Sequence, residues 1–307
     1  MYGDANIAKQ LEGWWKDHAG QENDPAWSDF LAVYHEMLSD KHTEMQAAHS
    51  NDGRFGMSSA SGCTRKAGLK LLGHQETFGG STRLTFWIGH NLEVLGLATL
   101  LCAGYMLEGA QKPVRIDPMM HSYHDEITSI DGVRTIVSVK SAAYKMSSFR
   151  NGKYVRQGFP ELPFEGVRAS QPSWWAQAQA EMRGSDIKQT LMLVVAKDVV
   201  QAFENDPYMA STSFYTEIIP ADPAFADTME MVWQQQYLSV QGGSPGPALI
   251  LPKGQDAYVR IPIPGDDSRN PQHANRQATG TFNPCGWCGL REACTAEYAK
   301  GYRGGRS

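Results

Sequence analysis

The chain lacks any uninterrupted apolar run of the roughly eighteen residues that a membrane span requires. Its opening stretch, MYGDANIAKQLEGWW, has neither the apolar core nor the cleavage pattern of a secretory signal. A soluble cytoplasmic protein with no membrane partner is therefore expected. Positive charge is not in surplus either: 28 Lys and Arg stand against 33 Asp and Glu, for a formal net charge of −5. That excludes a generally basic nucleic-acid coat but leaves room for a local basic channel. Internal repeats are missing. Cysteines are few and odd in number, five in all. In a reducing compartment, clustered cysteines bind metal more often than they form disulfides. What remains is a globular composition, 307 residues with 41% hydrophobic and 20% charged, long enough for one large domain or two modest ones.

Residues 7–49 carry apolar positions at helical spacing around Leu11, Trp14, Trp15, Phe30, Leu31, Tyr34 and Met37. A polar loop is expected over 49–62, and a short helix over 63–73 ended by Gly73. RLTFWIGHNLEVLGLATLLCAGY (83–105) is the strongest helical pattern, with Gly104 as its stop. KPVRI, SYHDEITSI and RTIVSVKSA read as strands, with IDGV at 130–133 supplying an Asp-Gly hairpin turn. Residues 146–170 read as irregular. Helices are expected over 172–184 and 223–240, strands over 190–198 and 212–221, and loops over 241–247 and 264–280. The sum is a mixed α/β domain with helical and loop additions at both ends. It divides into an N-terminal helical region (1–61), a core (62–294) and a basic Gly-rich tail (295–307).

The segment PCGWCGLREAC places Cys285, Cys288 and Cys294 within ten residues, too dense to be incidental surface thiols. A fourth ligand must come from elsewhere. Cys102, in ATLLCAGY, reads as a small core side chain. Cys63 opens a helix beside Arg65 and Lys66, a setting that favours thiolate. Four thiolates suit a structural Zn²⁺ or a [4Fe–4S] cluster. One distant ligand plus C-x₂-C-x₅-C is less typical of zinc, whose sites are usually two close pairs.

The middle of the chain adds hard-ligand chemistry. His90 and Glu93 lie three apart on the long helix. Asp125 precedes the hairpin, and residues 138 and 140 share one face of the returning strand. A carboxylate, an imidazole and the Lys140 amine converging on a sheet edge suit Mg²⁺- or Mn²⁺-assisted phosphodiester hydrolysis.

Taken in order, GCTRK (62–66), IGHNLE (88–93), HDEI (124–127), VSVKS (137–141), QAQAEM (177–182) and CGWCGLREAC (285–294) resemble the iron–sulfur-bearing RecB-type branch of the PD-(D/E)XK nuclease superfamily. That branch includes the AddB nuclease domain, CRISPR-associated adaptation nucleases and phage exonucleases. The resemblance implies a restriction-endonuclease-like mixed sheet core flanked by helices, with the cysteine-bearing segment closing onto the front of the core. A structural [4Fe–4S] cluster would sit on Cys63, Cys285, Cys288 and Cys294. His90, Asp125 and the Val139 carbonyl match metal-ligand positions, Lys140 the catalytic lysine, and Gln177 the glutamine of a Q-x-x-x-Y helix. The implied activity is a DNA exonuclease on single-stranded ends in phage or bacterial recombination and repair. A recombination or helicase protein is a possible partner, and the host cytoplasm the setting if the chain is phage-encoded.

Two positions depart from that pattern. Ser138 stands where the family has Asp or Glu, and Glu181 where it has Tyr. A hydroxyl is a weak ligand, so impaired catalysis is expected, with Glu93, Glu126 and Asp131 as carboxylates that could compensate. The alternatives are a catalytically inactive DNA-binding relative of the same fold and a zinc-stapled interaction domain. For the substrate, Arg65 and Lys66 are candidate phosphate contacts. Arg150, Lys153, Tyr154 and Arg156 interleave with Phe149 and Phe159 in a pattern suited to single-stranded DNA. Trp174 and Trp175 read as core and rim aromatics.

Overall fold

The computed structural model describes residues 5–46, 53–76, 80–108, 113–150, 153–197, 213–252, 255, 257–261, 288, 290 and 292–297. Two helices open the chain, α1 (Ala5–His18) and α2 (Pro25–Gln46), turned by Gly20 at φ +74°. Their aromatic residues interlock: Trp27 stacks on Phe30 at 5.2 Å between centroids, and Trp15 meets Phe30 edge-on at 5.3 Å. After the two-residue strand β1 (Phe55–Gly56) come α3 (Thr64–Leu71) and the long α4 (Gly80–Cys102). Gly73 and Gly104, at φ +92° and +94°, lie beyond the two helix ends as expected.

Strands β2 (Pro113–Ile116), β3 (Met120–Tyr123), β4 (Glu126–Ile130) and β5 (Val133–Ala142) follow. The run SYHDEITSI, expected as one strand, is two strands in two sheets. β3 lies between β1 and β2 in a three-stranded sheet, whereas β4 begins the central one. The hairpin turn is as expected, with Asp131 at φ +51° and Gly132 at φ +76°, the positive pair that a two-residue type I′ turn demands.

Residues 146–170 correct the irregular reading. They hold β6 (Tyr144–Arg150) and β7 (Lys153–Gly158), an antiparallel hairpin with a bulge near Met146 and Ser148, and then α5 (Leu162–Ser170). Charged residues alternating with aromatic ones hid the strand period there. The chain continues through α6 (Pro172–Ser185), β8 (Gln189–Ala196), β9 (Phe214–Pro220) and α7 (Pro223–Gln241). It ends its described course with the short pair β10 (Leu249–Ile250) and β11 (Val259–Arg260) and a helical stretch over 292–297. The loop expected over 264–280 and the tail from 298 lie outside the described residues.

The central sheet runs β4-β5-β8-β9, antiparallel at both edges and parallel between β5 and β8. A parallel pair needs a crossover, and α5 and α6 supply it. Both faces of the sheet are covered. Val137, Val139, Leu191, Leu193 and Val195 pack with Leu97 and Leu100 of α4 and with Ile7 and Leu11 of α1. Ile136, Ala142, Met192 and Val194 pack on the opposite face with Trp175, Ala178 and Met182 of α6 and Trp233 of α7. This is the mixed α/β core expected from the sequence. α1 shares the core of the sheet, and Phe55 and Met57 belong to the opposite layer.

Two glycines let the flanking helices approach closely. A Cβ on Gly96 of α4 would come within 2.9 Å of Val139 Cγ1, and one on Gly184 of α6 within 2.6 Å of Val114 Cγ1. α4 is long and apolar enough, by length and composition, to cross a membrane. Its second half instead forms core here, Leu97 and Leu100 being 5% and 0% exposed.

Candidate active site

Asp125 lies in the two-residue link between β3 and β4, where the chain passes from one sheet to the other. The β4–β5 ladder starts at Glu126 opposite Val137. The Val139 N–H lies beyond that ladder, and Asp125 Oδ2 accepts its hydrogen bond at 2.9 Å. The strand break thus places a carboxylate beside the strand that carries Lys140. On β5 the alternation is strict: Val137 and Val139 face α4, while Ile136 and Ala142 face α6. Ser138, 2% exposed, and Lys140 therefore face α6.

α6 presents Gln177 and Glu181 to that side, one turn apart. Gln177 Nε2 donates to Glu181 Oε1 at 2.8 Å, and Ser122 Oγ of β3 donates to the same oxygen at 3.0 Å. From the other side α4 brings His90 and Glu93, with His90 Nδ1 3.6 Å from Glu93 Oε2. α2 adds Lys41, whose Nζ lies 2.5 Å from Glu93 Oε1.

Three carboxylates and two lysines thus influence one another. Burial pushes the Asp125 carboxyl up, as does the negative charge of Glu93; Lys140 pulls it back, Glu181 adds to the rise, and Lys41 opposes it. The net position is about 7. Burial likewise raises Glu181, against the pull of Lys140 and of the Gln177 and Ser122 hydrogen bonds. Burial also pushes Glu93 up, but His90, Lys41 and Lys140 together outweigh it and hold this carboxyl below its ordinary value.

These residues fit a hard divalent cation. A carboxyl pushed up by burial and by its carboxylate neighbours would gain from a nearby cation, and oxygen donors are what Mg²⁺ and Mn²⁺ take. Among the described residues, no three His, Cys, Asp or Glu side chains form a ready-made cage. Mg²⁺ commonly sits on one or two carboxylates, completing its shell with water and substrate phosphate.

Asp125, Lys140, His90, Gln177 and Val139, singled out in the sequence, lie on the β3–β4 link, β5, α4 and α6 described here. Of the carboxylates weighed as compensating for Ser138, Glu93 is in the site. Glu126 is buried on the α4 side of the sheet, and Asp131 sits in the turn at the far end of the hairpin. Sequence reasoning missed Lys41 and Ser122, for which no local pattern gave a signal. It also read Glu181 only as a departure, although an acid at that position of a helix facing Lys140 was itself the signal.

The cysteines form a second constellation. Cys63 is the N-cap of α3, and both Cys63 and Cys294 pack against a small apolar group of Ala248, Ile250 and Ile261. Front and tail cysteines thus meet the same patch. Cys288 is half-buried, and Cys285 lies outside the described residues. Arg65 corrects an expectation. It is 7% exposed, with Nε donating to Cys294 Sγ at 3.3 Å and Nη1 to the Gly246 carbonyl at 2.8 Å, so its guanidinium is turned inward, away from any phosphate. Lys66 Nζ pairs with Glu76 at 2.6 Å. Arg150, Lys153, Tyr154 and Arg156 lie on the β6–β7 hairpin; their side chains are outside the described set. Trp175 is core, 4.1 Å from Phe225 between centroids and with Arg168 over its ring at 4.4 Å, and Trp174 is its partly buried neighbour.

No family model matches the chain. Nor does any curated protein match it. Among solved structures, an alkaline exonuclease (LHK-Exo) from Laribacter hongkongensis is similar, with 11% identity and a TM-score of 0.41 over 68% of this chain and 95% of that one. The structure of SSO0001 is similar at 14% identity and TM-score 0.39, over 86% of this chain and 97% of that one. A phage-related exonuclease from Haemophilus somnus 129PT is similar at 12% identity and TM-score 0.31, over 78% and 93%. At these values the likenesses assign neither family nor activity.

Proposed function

We propose that the chain is a divalent-metal-dependent deoxyribonuclease, acting as an exonuclease on single-stranded DNA ends in phage or bacterial recombination and repair. One observation carries the reading: a buried carboxyl, Asp125, locked to the β5 backbone through Val139 N–H and raised to about 7, on the strand that presents Lys140. Asp125, the Val139 carbonyl and His90 are the candidate holders of Mg²⁺ or Mn²⁺. A bound metal supplies Lewis-acid polarisation of the scissile phosphate and a lowered pKa for an attacking water. Asp125 is kept in register by its backbone hydrogen bond. Lys140 offers Nζ to orient the water and offset the charge that develops on the phosphate. Gln177 fixes the α6 side of the pocket through Glu181.

At the cysteine end, Cys63, Cys285, Cys288 and Cys294 are proposed to hold a [4Fe–4S] cluster with a structural role. The shared packing of Cys63 and Cys294 supports this, and an anaerobic preparation is expected to be brown, absorbing near 400 nm. A colourless protein with stoichiometric zinc would replace the cluster by a zinc staple.

Ser138 favours a second reading, a DNA-binding relative with little catalysis. The test is cleavage of end-labelled single- and double-stranded DNA by the anaerobically purified chain with Mn²⁺ or Mg²⁺, with Asp125→Asn as control. Metal-dependent shortening that the control loses is expected. Binding of DNA without shortening selects the second reading, and neither binding nor cleavage rejects both.

A further inference from the structure

Helix α6 carries a buried acid that the mechanism above leaves without chemistry. Glu181 is 2% exposed. Its neighbours are specific: Gln177 Nε2 and Ser122 Oγ both donate to Oε1. It lies on the helix that covers the Ser138 and Lys140 face of β5, and its charge is felt at both Asp125 and Lys140. A buried carboxylate that is neither paired nor ligated is costly, and a hydroxyl on the strand is too weak a donor to hold a divalent cation alone. The two anomalies, an acid on the helix and a serine on the strand, lie on the same side of the central sheet.

We propose that Glu181 is the second acidic ligand of the divalent-metal site, supplied from α6 in place of the strand carboxylate that Ser138 lacks. The site would then hold its cation between Asp125 from the β3–β4 link and Glu181 from the helix, with Gln177 and Ser122 fixing one Glu181 oxygen and leaving the other for the metal. The catalytic deficit expected from Ser138 disappears. The inference rests on the metal-dependent reading of the site.

The competing role is structural: a protonated Glu181 that only bonds Gln177 and Ser122. Glutamine reproduces the size and hydrogen-bonding reach of the neutral acid but offers a cation only a neutral, weaker oxygen donor, so Glu181→Gln separates the two. Mn²⁺ binding by the full chain, followed by electron paramagnetic resonance and calorimetry, is measured for the native protein, Glu181→Gln, Asp125→Asn and the double variant Glu181→Gln/Ser138→Glu, with melting temperatures as the check on folding. The expected result is a Mn²⁺ Kd weakened about tenfold or more in Glu181→Gln without loss of metal-free stability, and cleavage lowered by ~10²–10³. Restoring an acid on the strand in the double variant should return most of the affinity. Glu181→Gln binding Mn²⁺ within about twofold of the native protein, while Asp125→Asn loses it, overturns the inference and leaves the metal site standing. A double variant no better than Glu181→Gln also overturns it. Native protein that binds no Mn²⁺ rejects the metal-dependent reading itself, and the inference falls with it.

Discussion

The two constellations in this molecule are built in opposite ways. The charged pocket is drawn from five elements, α2, α4, β3, β5 and α6, and from the link before β4. Each is tied to the next by packing or by a hydrogen bond that fixes a side chain. Among the described residues, the cysteine end has two strands of two residues each and an apolar group of three buried side chains. Its polar ties include Arg65, which bridges Cys294 and Gly246, and Thr64, which donates to the Pro247 carbonyl and accepts from the Leu249 N–H. The pocket sets three carboxylates against two lysines. The described part of the cysteine end sets the Arg65 guanidinium against Cys294. A divalent ion would relieve the first, whereas an inorganic centre would supply cohesion to the second.

The contrast breaks most sharply at Lys140. Lys140→Ala should lower metal-dependent cleavage by ~10³ or more, because it removes the group that offsets charge on the reacting phosphate. Melting temperature should fall only modestly, since Lys140 offsets the Asp125 and Glu181 carboxyls but is itself only half-buried. The cysteine end should behave in reverse. Cys294→Ser should abolish absorbance near 400 nm and lower the melting temperature, because ligand binding to the folded state is folding free energy. Cleavage per folded molecule, measured at low temperature, should stay within about threefold of native. Equal loss of cleavage and of stability in both variants would dissolve the distinction between the two regions.

The pH dependence sharpens it further. Asp125 and Glu181 both have folded-state pKa values above their ordinary ones, so between about pH 4 and 7 the native protein holds protons that the unfolded chain has released. Stability of the metal-free protein should therefore fall as pH rises through that window. The rise of Asp125 from 3.8 to about 7 corresponds to roughly 4 kcal/mol at most, at ~1.4 kcal/mol per unit. Glu93 is shifted downward, and its contribution changes only below its ordinary value, so it does not cancel the slope. Asp125→Asn should flatten the slope, and the stabilisation by Mn²⁺ in the native protein should be larger at pH 8 than at pH 5.5. Thermal melts across pH, with and without the ion, check both.

Much of this was legible in the residues. The Asp131-Gly132 turn fixed the hairpin, and the hairpin fixed which β5 residues face α6. The helical period of 83–105 put His90 and Glu93 on one element. The break at His124 and Asp125 was not legible, because the run before and after it has strand composition throughout and only the pairing of β3 with β1 and β2 separates the two halves. Lys41 was out of reach for a different reason: its approach to Glu93 depends on how α2 crosses α4, a tertiary fact with no local sequence trace. Arg65 misled because a cation beside a helix start reads as exposed, and only the carbonyl of Gly246 and the sulfur of Cys294 explain its burial.

The smallest expected effect tests how closely the pocket depends on helix position. Gly96 lies under the second half of α4, where an added Cβ would meet Val139 Cγ1 at 2.9 Å, Leu193 Cδ2 at 3.2 Å and Val195 Cγ2 at 3.3 Å. These are side chains packed in the α4-side core, so α4 must shift by a few tenths of an ångström or Val139 must leave its rotamer. Overpacking of this kind costs about 1–3 kcal/mol, offset by up to ~1 kcal/mol from the better helix propensity of Ala. The net loss for Gly96→Ala is thus about 0–2 kcal/mol, a fall of at most a few degrees in melting temperature. Val139 donates its N–H to Asp125, and α4 carries His90 and Glu93, so the displacement is transmitted to both sides of the pocket. Cleavage well below the melting transition should fall by more than the lost stability explains, while absorbance from the cysteine end is unchanged. Cleavage that stays native while the melting temperature drops would show that the pocket tolerates movement of α4, and that the close approach at Gly96 serves packing alone.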